Sequence, residues 1–183
     1  MTLEERPQIW GVLNVTPDSF SDGGQFLEPQ TAVDHALGMV ADGASVIDVG
    51  GESTKPGVAR VDVDQELDRV LPVIEKLVEH GITVSIDTMR AETAKRALDA
   101  GAQIINDVSG GRADPDMLAV MARSAQDVVL MHWRGHSDQM DSLAQYENVV
   151  EEVRHELSLR VEAALEAGIA EANIILDPGL GFA

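Results

Sequence analysis

No cysteine occurs among the 183 residues, which excludes disulfides, thiol nucleophiles and Cys-ligated zinc while leaving the redox compartment open. No apolar run approaches the roughly 18 to 20 residues needed to span a membrane, and the opening MTLEERPQ lacks the basic-then-apolar pattern of a secretory signal. A cytoplasmic location is therefore the default expectation, with no membrane partner. Basic residues are scarce: 13 Lys+Arg stand against 32 Asp+Glu, a net charge of −19 that opposes phosphate-backbone binding and argues against a nucleic-acid partner. Much of the acidity, including Glu66, Glu152, Glu156 and Glu166, falls in helix-like segments and reads as solvated outer faces. Also missing are a Gly-x-Ser-x-Gly elbow, a P-loop, a dinucleotide fingerprint, any low-complexity stretch and any linker, so one globular domain over 1–183 is expected.

What the chain does have is six short apolar runs, each closing on a polar side chain: Asn14, Asp48, Asp87, Asn106, His132 and Asp177. Continuous Val/Ile/Leu runs mark parallel strands buried on both faces, and α/β proteins gather ligand-binding groups at the carboxyl ends of such strands. Strands are expected near 9–15, 45–50, 83–88, 104–109, 127–133 and 174–178. Between them lie helical patterns: Val33, Ala36, Leu37 and Val40; Leu67, Val70, Leu71, Ile74, Leu77 and Val78; and a four-residue repeat through Val149, Val153, Leu157, Val161 and Leu165. Gly43, Gly81, Gly101 and Gly168 read as helix stops, where a left-handed backbone suits a residue without Cβ. Pro72 should kink the second helix or mark a late start. Alternating strand and helix predict a parallel sheet, and six repeats where a full barrel has eight predict a (β/α)₈ TIM barrel truncated after strand six. Its first and last strands should then be exposed edges with incomplete burial.

The longest loops, 16–26 and 51–60, leave strands one and two and are candidate lids, although plain turn chemistry accounts equally for their Gly, Ser and Pro content. Asp87, Asn106 and Asp177 end three different strands and can converge on one flat, nitrogen-rich ring, since carboxylates accept from N–H groups and an amide both donates and accepts. Taken singly, each could instead cap a helix or, at Asp177-Pro178, open a turn. Asn14 offers a neutral oxygen to a Mg²⁺ that keeps most of its waters. Lys55, Arg60, Arg90, Arg112 and Arg134 follow strand ends, where a local positive site could be assembled, although Arg and Lys mostly face solvent and any one of them reads more readily as structural. His132 and His136 mimic metal-ligand spacing but span a strand end and its loop, which disfavours zinc.

Taken together and in order, GVLNVTPDSFSDGG (11–24), the DVGGEST segment with its PG pair (48–57), SIDT (85–88), INDVSGG (105–111), VLMHWRG (129–135) and LDPGLGFA (176–183) resemble dihydropteroate synthase, most closely its actinobacterial branch. The resemblance implies a pterin-binding TIM-barrel domain and a transferase of folate biosynthesis. Such an enzyme condenses 6-hydroxymethyl-7,8-dihydropterin diphosphate with p-aminobenzoate, giving dihydropteroate and diphosphate. It implies pterin-pocket roles for Asp87, Asn106, Asp177 and Met131, a p-aminobenzoate site at Thr54, Lys55, Pro56, Phe20 and Phe182, Mg²⁺ at Asn14, and Asp22 with Asp87 as catalytic groups. A homodimer is a compatible state. Lys55 stands where the family usually carries arginine, which keeps the charge but loses the planar bidentate fork. Because the pattern stops at Ala183, before the family's later basic groups, the 183-residue chain alone is expected to be weakly active or inactive. The alternatives are a pterin-binding methyltransferase barrel and a non-catalytic pterin-binding or interaction module.

Overall fold

The computed structural model describes residues 7–16, 29–52, 61–136 and 139–182. Strands β1 (Trp10–Asn14), β2 (Val46–Gly50), β3 (Val84–Asp87), β4 (Ile104–Asp107), β5 (Asp127–Met131) and β6 (Ile174–Asp177) form one parallel sheet in the order of the chain. Helices α1 (Pro29–Ala41), α2 (Val63–Glu79), α3 (Ala91–Asp99), α4 (Met117–Ser124), α5 (Met140–Leu143) and α6 (Val149–Glu166) alternate with them. This is the expected barrel arrangement, carried through strand six. Each strand lies one or two residues inside its expected limits or meets them.

Residues paired in register share a face of a parallel sheet, and alternate residues along a strand point to opposite faces. One face, with Leu13, Ile47, Val49, Ile86, Ile105 and Leu130, packs against Ala36, Val70, Ile74, Leu77, Ala94 and Met121 of the helices as the main core. The opposite face carries a second, smaller cluster of Val46, Ile104 and Val129 with Trp10. Above that cluster the same face turns polar, because the register aligns Asn14, Gly50, Asp87 and Asn106 across four consecutive strands and Met131 with Asp177 across the next two. On this face Val12 is 60% exposed and Ile175 40%, as expected for side chains on the two edge strands.

The helix stops are where the sequence puts them: Gly43, Gly81, Gly101 and Gly168 have φ of 114°, 72°, 104° and 97°. Pro72 neither delays nor ends α2, which starts at Val63 under an Asp62 cap accepting from the Gln65 N–H at 2.8 Å. The four-residue stripe on α6 is only partly covered: Leu157 is buried, yet Val149 is 52% and Leu165 43% exposed. At 3.6 residues per turn, a four-residue step drifts about 40° around the helix, so the ends of the stripe rotate away from the sheet.

Candidate active site

The rim begins with Gly50, whose lack of a side chain leaves space between two oxygens. A Cβ there would meet Asn14 Oδ1 at 3.3 Å and Asp87 Oδ2 at 3.4 Å. Neither the Asp87 carboxylate nor the Asn14 side chain makes a hydrogen bond to any described residue, so both present open acceptors. Burial lifts the pKa of Asp87 well above the ordinary carboxylate value, and the carboxylates of Asp48, Asp107, Glu66 and Glu52 push it the same way. A ligand that donates N–H bonds or develops positive charge here relieves that repulsion.

Next to Asp87, the Asn106 Nδ2 donates to Asp48 Oδ2 at 2.9 Å, while its Oδ1 has no hydrogen-bond partner among the described residues. Asp48 is 5% exposed and Ser85 fully buried, one layer below. Burial raises the Asp48 pKa, and the nearby Ser85 hydroxyl and the Asn106 amide hold that rise in check. Even so, Asp48 Oδ1 and Ser85 Oγ lack a hydrogen bond of ordinary geometry. On β6, Asp177 Oδ1 accepts from the Gly179 N–H at 2.7 Å, which shapes the Asp-Pro-Gly turn and leaves Oδ2 uncommitted. Gly179, at φ 68°, lies so close to β5 that a Cβ would meet His132 O at 2.8 Å and Met131 Cγ at 3.3 Å. Asp87, Asn106, Met131 and Asp177 are thus gathered on one face, as expected, with Asn14 beside them. Phe182 follows the Asp177 turn and is 38% exposed. Phe20, Asp22, Thr54, Lys55 and Pro56 lie outside the described residues, as do Arg60 and most of the two candidate lids.

Two expectations fail, those for Glu66 and His132, and two of the cations prove structural. Glu66 is not on a solvated face: it is 1% exposed, and its carboxylate accepts from Thr88 Oγ1 at 2.6 Å, Thr93 Oγ1 at 3.0 Å and the Arg90 guanidinium. It opens the buried stripe Glu66, Val70, Val73, Ile74 and Leu77 of α2. Arg90 is consequently no free cation; it also binds Glu52 at 2.9 Å and the Val61 carbonyl, and Arg69 holds the Gly51 carbonyl at 2.8 Å. Arg134 is likewise engaged, with Glu152 at 2.9 Å, with Glu156, and over the Tyr146 ring at 3.9 Å. His132 leaves the ring of strand-end ligands, because one residue past Met131 the chain faces the helices. It is 2% exposed and its Nε2 lies 2.9 Å from Glu156 Oε2. Burial works against the Glu156 carboxylate, but Arg134 and His132 outweigh it and hold its pKa below the usual value.

Asp107, to which the sequence reading gave no role of its own, builds the loop after β4. Its oxygens accept from the Ser109 N–H, the Ser109 hydroxyl and the Gly111 N–H at 2.8, 2.7 and 2.8 Å. Gly110 has φ 59°, and a Cβ there would stand 2.9 Å from Met131 O. The Ser-Gly-Gly run is therefore a packed turn supporting the neighbouring strand end. Among the described residues no group of three or more His, Asp or Glu could hold a metal ion.

The chain matches the family profile of pterin-binding enzymes over residues 10–183. It is 54% identical over 177 residues to the dihydropteroate synthase of Mycobacterium leprae, covering 96% of this chain and 62% of that protein. It is 45% identical to the Bacillus subtilis dihydropteroate synthase, covering 100% and 62%. Among solved structures, it superposes on a Clostridium difficile dihydropteroate synthase determined with pteroic acid at a TM-score of 0.89, with 43% identity and coverage of 97% and 66%. The Xanthomonas albilineans enzyme determined with 4-aminobenzoic acid gives 0.89, 44%, 97% and 63%. The chain thus spans about 62% of the length of the two curated relatives. A profile match running from the first strand to the last residue, over a rim of open acceptors, assigns the chain to the pterin-binding enzyme family.

Proposed function

We propose that this chain is the pterin-binding part of a dihydropteroate synthase, which joins 6-hydroxymethyl-7,8-dihydropterin diphosphate to p-aminobenzoate. The observation that carries the reading is the set of acceptors on one face that no described residue satisfies: Asp87, Asn106 Oδ1 and the second oxygen of Asp177. A pterin edge offers two adjacent donors, the 2-amino group and the ring N3–H, which suit a carboxylate. It also offers an amino group beside an acceptor nitrogen, which suits an amide. Met131, 2% exposed and next to Asp177 in the register, supplies an apolar surface for the ring.

The chemistry follows from the charge on these groups. The bond from the pterin methylene carbon to the diphosphate oxygen breaks, its electron pair leaves with diphosphate, and the resulting cation is delocalised into the ring. Asp87 and Asp177 beside that ring stabilise the positive charge as it develops. The arylamine nitrogen then forms the new C–N bond with its lone pair and releases a proton. Asn14 Oδ1, across Gly50 from Asp87, suits a Mg²⁺ completed by water and the substrate's own phosphate oxygens, and such an ion would favour the negative charge on the leaving group. Relatives determined with pteroic acid and with 4-aminobenzoic acid support both substrate classes.

Titration of the chain with 7,8-dihydropterin tests the reading. Saturable binding is expected, weakened at least about tenfold by Asp177→Asn, which keeps the Gly179 turn but not the second charged oxygen. Lack of binding by folded wild-type protein would refute it.

A further inference from the structure

The Asp48 carboxylate sits below the rim rather than on it, and stability does not account for it. It is 5% exposed on the barrel-interior face, beside Val46 and Ile104, where an apolar residue would pack without losing solvation. One of its oxygens has no partner of ordinary geometry. The other is committed to a single task, accepting the Asn106 Nδ2 hydrogen at 2.9 Å.

That contact decides how Asn106 faces a ligand. The amide end turned toward Asp48 is the nitrogen, which donates to a carboxylate oxygen that accepts it. The amide cannot then rotate by a half-turn without setting its oxygen against the Asp48 carboxylate. Asn106 is left presenting its carbonyl and its one remaining N–H in a fixed order, with Oδ1 making no hydrogen bond among the described residues. A side-chain amide that could turn over would serve a ring edge of either polarity.

We propose that Asp48 is a positioning residue that locks the Asn106 amide, so that the site selects a ring edge with an amino donor beside an acceptor nitrogen over the reversed edge with an oxo acceptor beside a ring N–H. The inference rests on the pterin reading of the same pocket. In pteridine terms, Asp48 makes the site discriminate pterin, which is 2-amino with an unprotonated N1, from lumazine, which is 2-oxo with a protonated N1.

The test is the ratio of dissociation constants for lumazine and pterin, measured by calorimetry or fluorescence for the wild-type chain, Asp48→Ala and the isosteric Asp48→Asn. Wild type should prefer pterin, and both variants should lower the ratio about tenfold, the discrimination that one bidentate amide contact provides. The fall should come mainly from tighter lumazine binding, because the released amide can turn over. Asp48→Asn keeps the side-chain volume and so covers the case in which Asp48→Ala does not fold. A merely structural role would weaken both ligands in parallel, and an unchanged ratio in the two variants would overturn this inference while leaving the pterin reading intact. Wild-type protein that bound neither pteridine would overturn the pterin reading and this inference with it.

Discussion

Replacing Glu66 should destabilise the protein strongly, because its buried carboxylate joins three partners from other parts of the chain. Its carboxylate accepts from two hydroxyls, Thr88 at 2.6 Å and Thr93 at 3.0 Å, which are themselves 3% and 0% exposed. It also neutralises Arg90, whose side chain is 19% exposed. Glu66→Ala strands both hydroxyls and leaves the guanidinium with Glu52 and the Val61 carbonyl. Removing one partner of a buried pair costs about 3–5 kcal/mol, and for a domain of this size each kcal/mol lowers Tm by roughly 2–4 °C. A fall of roughly 6–20 °C is therefore expected in a thermal melt, with a matching drop in urea midpoint at unchanged slope. The cause can be separated from simple loss of volume by a double-mutant cycle. Glu66→Ala and Arg90→Ala should couple by about 1–3 kcal/mol, the double variant being less damaged than the sum of the singles. A loss below about 1 kcal/mol for Glu66→Ala, or strict additivity, would refute the assignment of a cooperative network and return Glu66 to the solvated helix face that its residue type suggests.

Asp87→Asn should raise stability at neutral pH while weakening 7,8-dihydropterin binding at least about tenfold, a stability–function trade-off readable by denaturation and titration of one variant. The sign follows from its raised pKa: the folded protein holds the proton more tightly than the unfolded chain. Wild-type stability from this group therefore falls as pH rises from the ordinary carboxylate value through the raised one, and Asp87→Asn should flatten that slope. Ala125 adopts φ 54°, the one described non-glycine residue in the left-handed region, so Ala125→Gly should stabilise by about 1 kcal/mol in a urea titration. Arg134→Ala removes bonds to Glu152, Glu156 and the Gln145 carbonyl and the contact with Tyr146, and should cost about 1–3 kcal/mol without changing pteridine affinity.

The fold was legible because its signals are local and repeated. Apolar runs of buried parallel strands, glycine stops and alternating order each point to the same barrel, and the glycines at 43, 81, 101 and 168 hold the left-handed backbone that suits them. The fifth stop was hidden, because Ala125 takes that conformation without glycine; Asn173 donates to its carbonyl at 3.0 Å from the far side of the β5–β6 pair. The rim was legible for a similar reason: a polar residue at a strand end, repeated at Asn14, Asp87, Asn106 and Asp177, needs only strand parity to bring the side chains to one face. What the sequence hid was pairing between residues distant in the chain. Residue type alone makes Glu66 a surface acid and Arg90 a solvent-facing cation, and only their meeting across 24 positions reverses both readings. His132 shows the limit of parity itself, since a strand limit misplaced by one residue exchanges a pocket ligand for a helix contact.

The distribution of charge around the rim limits what this part of the molecule can bind. Arg90 and Arg134, two of the cations that follow strand ends, are each held by two carboxylates, and Arg112 donates to the Trp133 carbonyl at 2.8 Å. Among the described residues, the open groups on the inner face are carboxylate oxygens and the side-chain amides of Asn14 and Asn106, with no uncommitted cation. Such a surface favours a ring rich in N–H donors and opposes a free anion, so pterin should bind here through hydrogen bonds and apolar contact rather than through a charge pair. Its affinity should then be nearly indifferent to ionic strength, changing less than about twofold between 0.05 and 0.5 M salt, because Debye screening acts on charge pairs and not on a neutral ring. A steep loss of pterin affinity with salt would mean that a cation reaches the ring, and the division between acceptors for the ring and separate provision for the diphosphate would be wrong.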